Sequence, residues 1–323
     1  MKKNIAILMG GYSSEKDISI NSGNVVFQHT DTEKYNPYKI IITRESWYHL
    51  DEKGGIHHVD KNDFSITIAQ KKINFDAAFN IVHGSPGEDG LLQAYFELLG
   101  IPQTACDFYQ AALTFNKRDC IRILKPYGVP CATNYFLNKG DRIDVDEIVA
   151  RVGLPCFVKA NKAGSSYGVS KVKSKAEIVP AIDTAYKEDN EIIIESFLDG
   201  TEVSVGVITY QGKPTVLPIT EIVSENEFFD YEAKYEGKSE EITPARLTKE
   251  QENQVRELAL SIYQILKMKG FSRSEFIFHK GKPHFVEMNT NPGFSEASIL
   301  PQQALAAGIS LKELVTNTIE ECL

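Results

Sequence analysis

Short apolar runs alternate with segments of helical spacing through the first third of the chain. The apolar runs are NIAILM, YKIIIT and DAAFNIVHG, and the helix-like segments are SGNVVFQHT and GLLQAYFELLG, the last closing on Gly100. Strands that alternate with helices are typical of a parallel sheet with crossover connections. We therefore predict an α/β domain over residues 1–103. Ligands of such sheets bind at the carboxyl ends of strands, where GGYSSE and HGSPGEDG lie.

The pattern changes in the remaining two thirds. Over residues 104–196 it predicts a helix in NKRDCIRILKPYG, strands in PCFVKA and GVSKVK around a small-residue loop, a helix in KAEIVPAIDTAYKED and a strand in EIIIESFL. Over residues 197–323 it predicts strands in TEVSVGVIT and PTVLPITEIV, a polar and aromatic loop from Ser224 to Pro244, a long helix from Thr248 to Lys269, a hairpin and two final helices. The fold class predicted is α/β, with an α+β C-terminal half and domain boundaries near residues 103 and 196.

The predicted hairpin carries charged side chains at two-residue spacing. Its strands, FSRSEFIF and KPHFVEMN, are joined by HKGK. Residues i and i+2 share a face of a strand, so a three-residue loop centred on Gly281 places Glu275 opposite Glu287 and Arg273 opposite Asn289. Facing carboxylates repel unless a cation binds between them, which predicts a divalent metal site. A two-residue turn would put the glutamates on opposite faces, and a solvated edge hairpin is then the alternative.

Composition narrows the class of protein. The chain has 323 residues, of which 42% are hydrophobic and 24% charged, with a net charge of −9 and a pI of about 5.4. The acidic balance and the absence of a basic block argue against a nucleic-acid partner. The N-terminal apolar run stops at Gly10, too short for a signal peptide, and no apolar stretch reaches membrane-spanning length. The five cysteines form no CxxC pair, which predicts reduced thiols in a cytoplasmic protein.

A glycine- and serine-rich segment separates two predicted strands. NKAGSSYGVSKV contains Gly164, Ser165, Ser166 and Gly168, whose small side chains let backbone N–H groups approach a phosphate. The element after it is a strand rather than a helix, so it is neither a Walker A loop nor a GxGxxG turn. A plain hairpin turn is the alternative.

Two lysines and two glutamates complete a candidate nucleotide site. Lys159 lies inside the apolar stretch CFVKA, where a charge is unfavourable unless it meets an anion, and Lys117 in TFNKRD is a second candidate cation. Glu195 and Glu202 in ESFLDGTE follow a buried strand, and their carboxylates suit ribose hydroxyls. The alternatives are a surface lysine and a solvated turn.

Three further segments suggest a second ligand. Three glycines follow His83 in HGSPGEDG, which indicates that backbone approaches a ligand closely, and Glu15 in GGYSSEKDIS can bind an ammonium group. The alternative for HGSPGEDG is a tight loop that leads to a helix cap. FFDYEAKY, which includes Lys234, has the aromatic density of a lid, although a loop packed on its own domain would look the same.

Together these motifs resemble one family. GGxSxExxIS, HGxxGEDGxLQ, NK, VKxxxxGSSxGV, ExFxxGxE, FxDYxAKY, RxE and EMNTNPGFS occur in an order similar to that of D-alanine–D-alanine ligases, ATP-grasp enzymes of peptidoglycan precursor synthesis. The resemblance covers almost the whole chain. It implies an ATP-grasp fold with a Rossmann-like N-terminal domain on the substrate side (1–103), a central domain with the phosphate loop (104–196) and a C-terminal domain with the metal site and lid (197–323).

The resemblance also implies roles for individual residues. ATP would be bound by Lys117, Lys159, Glu195 and Glu202, by Gly164, Ser165, Ser166 and Gly168 over the phosphates, by Phe197 and Leu198 along the adenine edge, and by Lys234 at the γ-phosphate. Two Mg²⁺ ions, which Mn²⁺ can replace, would be held by Glu275, Glu287 and Asn289. Glu15 would bind the ammonium group of the first D-alanine, and His83 would lie beside that D-alanine. Ser165 and Tyr235 would orient the same end of the site. Ser298 would bind the carboxylate of the second D-alanine. Arg273 and the backbone N–H of Gly293 would stabilise the oxyanion. A cytoplasmic homodimer is expected.

The chain departs from the family pattern at a few positions. Glu275 stands where the family usually has Asp, Ala160 where it has Pro, PQTA where it has PYTG, and PGFS where it has PGMT. Tyr235 after Lys234 resembles the dipeptide-forming members. A related carboxylate–amine ligase with a different second substrate stays open, as does a nucleotide-binding regulator without turnover. An oxidoreductase is disfavoured because GxGxxG is absent.

Overall fold

The fold is described from a computed structural model, which covers residues 2–164, 167–224 and 239–323. Three β-sheets follow one another along the described chain, and helices cover their faces. No helix in these three ranges is long and apolar enough to cross a membrane.

The first sheet has the predicted parallel core. Strand β1 (Lys3–Gly10) pairs in parallel with β2 (Tyr35–Ile42) and β7 (Ala77–Asn80), and helix α1 (Lys16–His29) connects β1 to β2. Ile5 to Met9 are wholly buried, as expected of a parallel strand that is covered on both faces. Four antiparallel strands that the pattern did not predict extend this sheet: β3 (Trp47–Leu50), β4 (Ile56–Asp60), β5 (Ser65–Ile68) and β6 (Lys71–Ile73).

The second sheet is antiparallel, with strand order β10-β9-β11-β8 in the described residues. Its strands are β8 (Asn134–Asn138), β9 (Cys156–Ala160), β10 (Ser170–Val172) and β11 (Glu191–Ser196). Helices α5 (Val145–Val152) and α6 (Lys175–Ala185) pack against it around a core that includes Ile148, Val158 and Ile182. The helices before it are α2 (Leu91–Leu99), α3 (Phe108–Phe115) and α4 (Lys117–Leu124), and α4 ends in a 3₁₀ turn before Gly128.

The third sheet is also antiparallel in the described residues. Its strands are β12 (Gly200–Tyr210), β13 (Lys213–Val216), β14 (Thr220–Ser224), β15 (Ser239–Ile242), β16 (Phe271–His279) and β17 (Lys282–Asn289). The single strand predicted in PTVLPITEIV is wrong, since it divides into β13 and β14. The loop predicted from Ser224 to Pro244 is wrong where β15 forms. Helix α7 (Lys249–Ile265) begins at a capping box made by Thr248 and Gln251.

Glu275 and Glu287 face each other across the β16–β17 hairpin, as predicted, but the turn and the register that bring them together differ from the prediction. His279 pairs with Lys282, so the turn has two residues, and the three-residue loop is wrong. The turn residues Lys280 and Gly281 have φ angles of 50° and 77°, as two-residue hairpin turns require. A β-bulge then shifts the register between Glu275 and Phe276, which leaves Val286 as the extra residue of β17. Glu275 therefore pairs with Glu287, and Arg273 with Asn289, as predicted.

The C-terminal end of the chain packs against the first sheet. Helices α8 (Ile299–Ala306) and α9 (Leu311–Cys322) contribute Leu300, Leu314 and Ile319 to a core that also contains Ile5 and Phe79. Lys34 and Glu320 add a surface ion pair of 2.8 Å between α9 and the loop before β2. The first sheet is thus completed by residues from the other end of the chain, which ties it to the third sheet.

Truncating a side chain in this shared core should destabilise the protein. Leu314 is fully buried, so Leu314→Ala should lower the free energy of unfolding by about 2–5 kcal/mol through lost contacts and a cavity. Leu305→Ala is the control, because Leu305 is half exposed on the neighbouring helix and its loss should cost about 0.5 kcal/mol or less. Urea unfolding followed by circular dichroism measures both, and equal losses would contradict the shared core.

Candidate active site

Two adjoining cavities lie where the three sheets meet. The first cavity lies between the second and third sheets, and its lining includes Phe157, Lys159, Leu198, Glu202 and Ile277. The second cavity lies between the first sheet, the β16–β17 hairpin and the start of α8, and its lining includes Glu15, His83, Arg273, Asn289 and Ser298. Both are bounded by Lys117, Ala163, Gly164 and Glu287. Ligands in the two cavities would therefore meet at these residues.

The first cavity contains a buried lysine paired with a glutamate. Lys159 Nζ lies 2.8 Å from Glu195 Oε2, on the neighbouring strand. Burial lowers the pKa of Lys159, but Glu195, Glu287 and Glu202 together raise it by more, so the pKa lies above its ordinary value. Lys117 Nζ donates to the carbonyl of Ala163 at 2.7 Å and lies 3.2 Å from Glu287 Oε2. Two fixed cations thus face the region between the second and third sheets, which suits an anionic ligand.

The facing glutamates are each held by a basic neighbour. Arg273 Nε lies 2.9 Å from Glu275 Oε1, to which Ser204 Oγ also donates at 3.3 Å. Glu287 meets Lys117, as described above. The side-chain oxygen of Asn289 accepts from the backbone N–H of Asn291 at 2.8 Å. The hairpin therefore gathers carboxylate and amide oxygens at the junction of the cavities.

This donor set fits a magnesium ion that is shared with a phosphate. Among residues 2–164, 167–224 and 239–323, no group of three acidic, histidine or cysteine side chains is placed to hold a metal by itself. Mg²⁺ is usually bound through one or two carboxylates, with phosphate oxygens and water completing its coordination. Two carboxylates and an amide oxygen beside a phosphate site meet that requirement, and Mn²⁺ takes the same ligands.

The loop after β1 carries Glu15 to the junction. Ser13 Oγ donates to the carbonyl of His83 at 3.0 Å and accepts from the N–H of Glu15 at 3.3 Å. A Cβ atom added to Gly84 would lie 2.7 Å from Ser13 Oγ, and one added to Gly164 would lie 2.9 Å from Glu15 Oε2. Gly84 also has a φ of 67°, which favours glycine, and a side chain at Gly164 would displace the Glu15 carboxylate. The Glu15 carboxylate lies against the loop predicted to cover phosphates.

His83 joins the first sheet to the turn after β17. Its Nδ1 lies 2.8 Å from the carbonyl of Asn291, which only accepts, so Nδ1 carries the proton. The hydroxyl of Ser22 donates to Nε2 at 3.3 Å and accepts from the N–H of Phe294 at 3.0 Å. Burial lowers the pKa of His83, so the ring is neutral at physiological pH. The network fixes the segment that contains Gly293 against the first sheet.

Gly293 and Ser298 lie together at the start of α8. A Cβ atom on Gly293 would stand 2.8 Å from Ser298 Oγ, so a larger residue would displace that hydroxyl. Ser298 is the N-cap of the helix, and its hydroxyl contacts that of Ser295 at 2.8 Å. Backbone N–H groups at a helix N-terminus favour an anion such as a carboxylate.

The family follows from comparison with known proteins. Models described as D-ala D-ala ligase N-terminus and D-ala D-ala ligase C-terminus match residues 4–106 and 123–320. The chain belongs to the D-alanine–D-alanine ligase family. A relative named D-alanine--D-alanine ligase, from Christiangramia forsetii, is 63% identical over 323 residues, covering 100% of this chain and 99% of its own.

Solved structures confirm the predicted fold class. The VanG D-Ala:D-Ser ligase of Enterococcus faecalis superimposes with a TM-score of 0.88 at 31% identity, covering 100% of both chains. The D-alanine--D-alanine ligase of Bacillus anthracis complexed with ATP superimposes with a TM-score of 0.79 at 29% identity, covering 99% of this chain and 97% of its own. The ligase fold is thus shared along the whole chain.

Not every residue predicted for the ligase site reaches the cavities. Leu198 lines the first cavity, but Phe197 does not; its ring packs on Phe157, with centroids 6.2 Å apart. Gly168 lies against Glu188, because an added Cβ would meet that side chain at 2.9 Å. Of the remaining predicted residues, four lie outside the described ranges: Ser165, Ser166, Lys234 and Tyr235.

Two acidic residues of the second cavity were missed by the sequence analysis. Glu88 is buried and accepts from the N–H of Gly84 at 2.6 Å. Burial, with help from the charge of Glu15, raises the pKa of Glu88 to about 8. Glu241 lies on β15, and burial raises its pKa although Arg273 lowers it. Glu88 was visible within HGSPGEDG, whereas Glu241 fell in a predicted loop.

The raised pKa of Glu88 makes stability depend on pH. The folded chain keeps this proton to about pH 8, whereas the unfolded chain loses it near the ordinary value of 4.5. Folded protein therefore binds the extra proton between these values, and the contribution to stability falls by up to about 1.4 kcal/mol per pH unit as pH rises. Glu88→Gln removes this dependence of stability on pH. As the pH rises from 5 to 8, the parent should therefore lose stability relative to the variant.

Thermal unfolding across this pH range measures the difference. Glu97→Gln is the control, because it removes the same charge from an exposed position on the following helix. If the stabilities of the parent and of the Glu88→Gln variant change by the same amount from pH 5 to pH 8, the pKa of Glu88 is not raised.

Proposed function

We propose that the protein joins two molecules of D-alanine to form D-alanyl-D-alanine, with conversion of ATP to ADP and phosphate, for peptidoglycan precursor synthesis. The observation that carries this proposal is the meeting of two cavities at Lys117, Gly164 and Glu287, beside the facing glutamates. The name of the relative with 63% identity over the whole chain supports it. Since ATP is a cytoplasmic metabolite, the reaction is assigned to the cytoplasm.

The first cavity is assigned to the nucleotide. Leu198 would border the adenine and Glu202 the ribose, while Lys117 and Lys159 neutralise phosphate charge. Their ion pairs with Glu287 and Glu195 hold both ammonium groups in place before ATP arrives. Glu275, Glu287 and Asn289 would hold Mg²⁺, which on binding neutralises the charge of the transferred phosphoryl group.

The second cavity is assigned to the two amino acids. Glu15 would bind the ammonium of the first D-alanine, with His83 beside that D-alanine. The carboxylate oxygen of the D-alanine would then point toward Gly164 and attack the γ-phosphorus, and ADP leaves. The amine of the second D-alanine then attacks the acyl carbon, and phosphate leaves. Arg273 and the N–H of Gly293 would stabilise the oxyanion of that step. Ser298 and the N-terminus of α8 would receive the second carboxylate.

The assignments beyond the described residues stay predictions. They are the orienting roles of Ser165 and Tyr235, the contact of Lys234 with the γ-phosphate, and the place of Ser166 in the phosphate loop. Gly168 and Phe197 would act through the shape of their loops. The homodimer is a further proposal. The division into domains at residues 103 and 196 is another, and a cavity lies near each of these two boundaries.

A second candidate is ligation of D-alanine to D-serine. The structural likeness to a D-Ala:D-Ser ligase over the whole chain favours testing it. Both reactions use the same first half and differ only in the second amino acid.

A substrate panel tests the proposed function. Phosphate release with ATP and Mg²⁺ should be stimulated by D-alanine and not by L-alanine, and mass spectrometry should identify D-alanyl-D-alanine. A mixed product in the presence of equal D-serine would support the second candidate. If phosphate release with D-alanine is no greater than without any amino acid, both candidate functions are rejected.

Removal of one facing carboxylate should stop phosphoryl transfer. Glu287→Gln keeps the size of the side chain and loses the charge that Mg²⁺ requires, so ADP formation should fall by at least about 100-fold, consistent with loss of electrostatic stabilisation. Glu296→Gln, at an exposed position after the same hairpin, is the control and should keep parental activity. An active, folded Glu287→Gln variant would refute the metal assignment.

A further inference from the structure

Glu241 lies on the same face of the third sheet as the candidate site. The paired residues run across the sheet from Glu241 to Ile222, then to Glu202, and then to Ile277. Residues directly opposite each other on neighbouring strands project to the same face. Because Glu202 and Ile277 line the first cavity, Glu241 projects toward the site, and it lines the second cavity.

The neighbours of Glu241 place it at one end of that cavity. Ile222, its partner on β14, packs against Ile299 in a small buried cluster. Ile299 follows Ser298, the residue assigned to the carboxylate of the second amino acid. Arg273 lines the same cavity. Glu241 therefore lies on the side of the cavity that is assigned to the second amino acid.

The other acids of this cavity already have distinct surroundings. Within the described lining, Glu15 lies against Gly164, Glu287 meets Lys117, and Glu88 accepts from the N–H of Gly84. Glu241 is the remaining carboxylate, and it stands near the guanidinium of Arg273.

The second amino acid brings a positive charge into this region. It enters as a zwitterion, and its ammonium must approach an acyl carbon next to Arg273 and to the residues that would hold Mg²⁺. Like charges at such distances repel, and more strongly in a partly buried cavity than in water. A carboxylate at the same place offsets that repulsion and orients the nitrogen.

We propose that Glu241 binds the ammonium group of the second D-amino acid and positions its nitrogen, which attacks as the free amine after a proton has been released to water. The proposal rests on the ligase function proposed above and adds a residue to its second substrate site. It requires that the two halves of the reaction depend on Glu241 differently.

The test measures acyl phosphate formation and dipeptide formation separately in the Glu241→Gln variant. Acyl phosphate formation is measured alone by trapping with hydroxylamine, which is neutral at pH 7.5 and so needs no partner for an ammonium group. Trapped hydroxamate should form at the parental rate. The KM of the second D-alanine in dipeptide formation should rise about 10- to 100-fold, the effect of losing one charge-assisted contact.

Matched variants separate this role from a structural one. Glu240→Gln removes the same charge one residue earlier, at an exposed position on the other face of β15, and should leave both halves unchanged. Glu241→Asp keeps the charge and should raise the KM less than Gln does. Glu241→Met, of similar length and without charge, repeats the test if the Gln variant does not fold.

Three results would contradict the proposed role of Glu241. An unchanged KM for the second D-alanine, an equal loss of hydroxamate formation, or an equal effect of Glu240→Gln would each overturn the role of Glu241. If the parent protein itself makes no dipeptide, the proposed function fails instead, and that result is read before any variant.

Discussion

The site depends on two carboxylates that are held face to face on neighbouring strands. Glu275 and Glu287 pair directly across β16 and β17. Charges about 5 Å apart repel by roughly 3 kcal/mol at an effective dielectric constant near 20. Arg273 and Lys117 offset this repulsion, each contacting one of the acids. The bulge at Val286 is equally necessary, because a shift of one residue would turn every later side chain of β17 to the other face.

The rest of the fold serves to bring other groups to this pair. The core shared by β1, β7 and the C-terminal helices ties the first sheet to the third. The hydrogen bonds of His83 with Asn291 and Ser22 repeat that connection at the site itself. Glu15 and Ser298 come from distant parts of the sequence, yet both line the second cavity. Their separation is fixed by packing that extends across the molecule.

Periodic patterns predicted the elements that bury a continuous face. The strands around Ile5, Ile40 and Phe79, and the helix that closes on Gly100, follow from apolar runs and a cap. The strands β3 to β6 were missed because polar residues such as His57 and Lys72 interrupt them. The hairpin was predicted with the correct pairing of Glu275 and Glu287 but with a wrong turn, since a bulge leaves no mark in an alternating pattern. Glu241 was missed for a related reason: its strand is short and follows a polar segment.

The family resemblance implies an aspartate where this chain has Glu275, and the neighbours of this glutamate hold its carboxylate in place. A glutamate has one more methylene group and hence more freedom to move its carboxylate. Here that freedom is limited, because the side chain is buried and one oxygen is held by both Arg273 and Ser204. The charge at this position is unchanged, and Arg273 remains on the same face of the strand. Under the proposed metal assignment, the longer side chain alters the reach of a ligand and leaves the charge at this position unchanged.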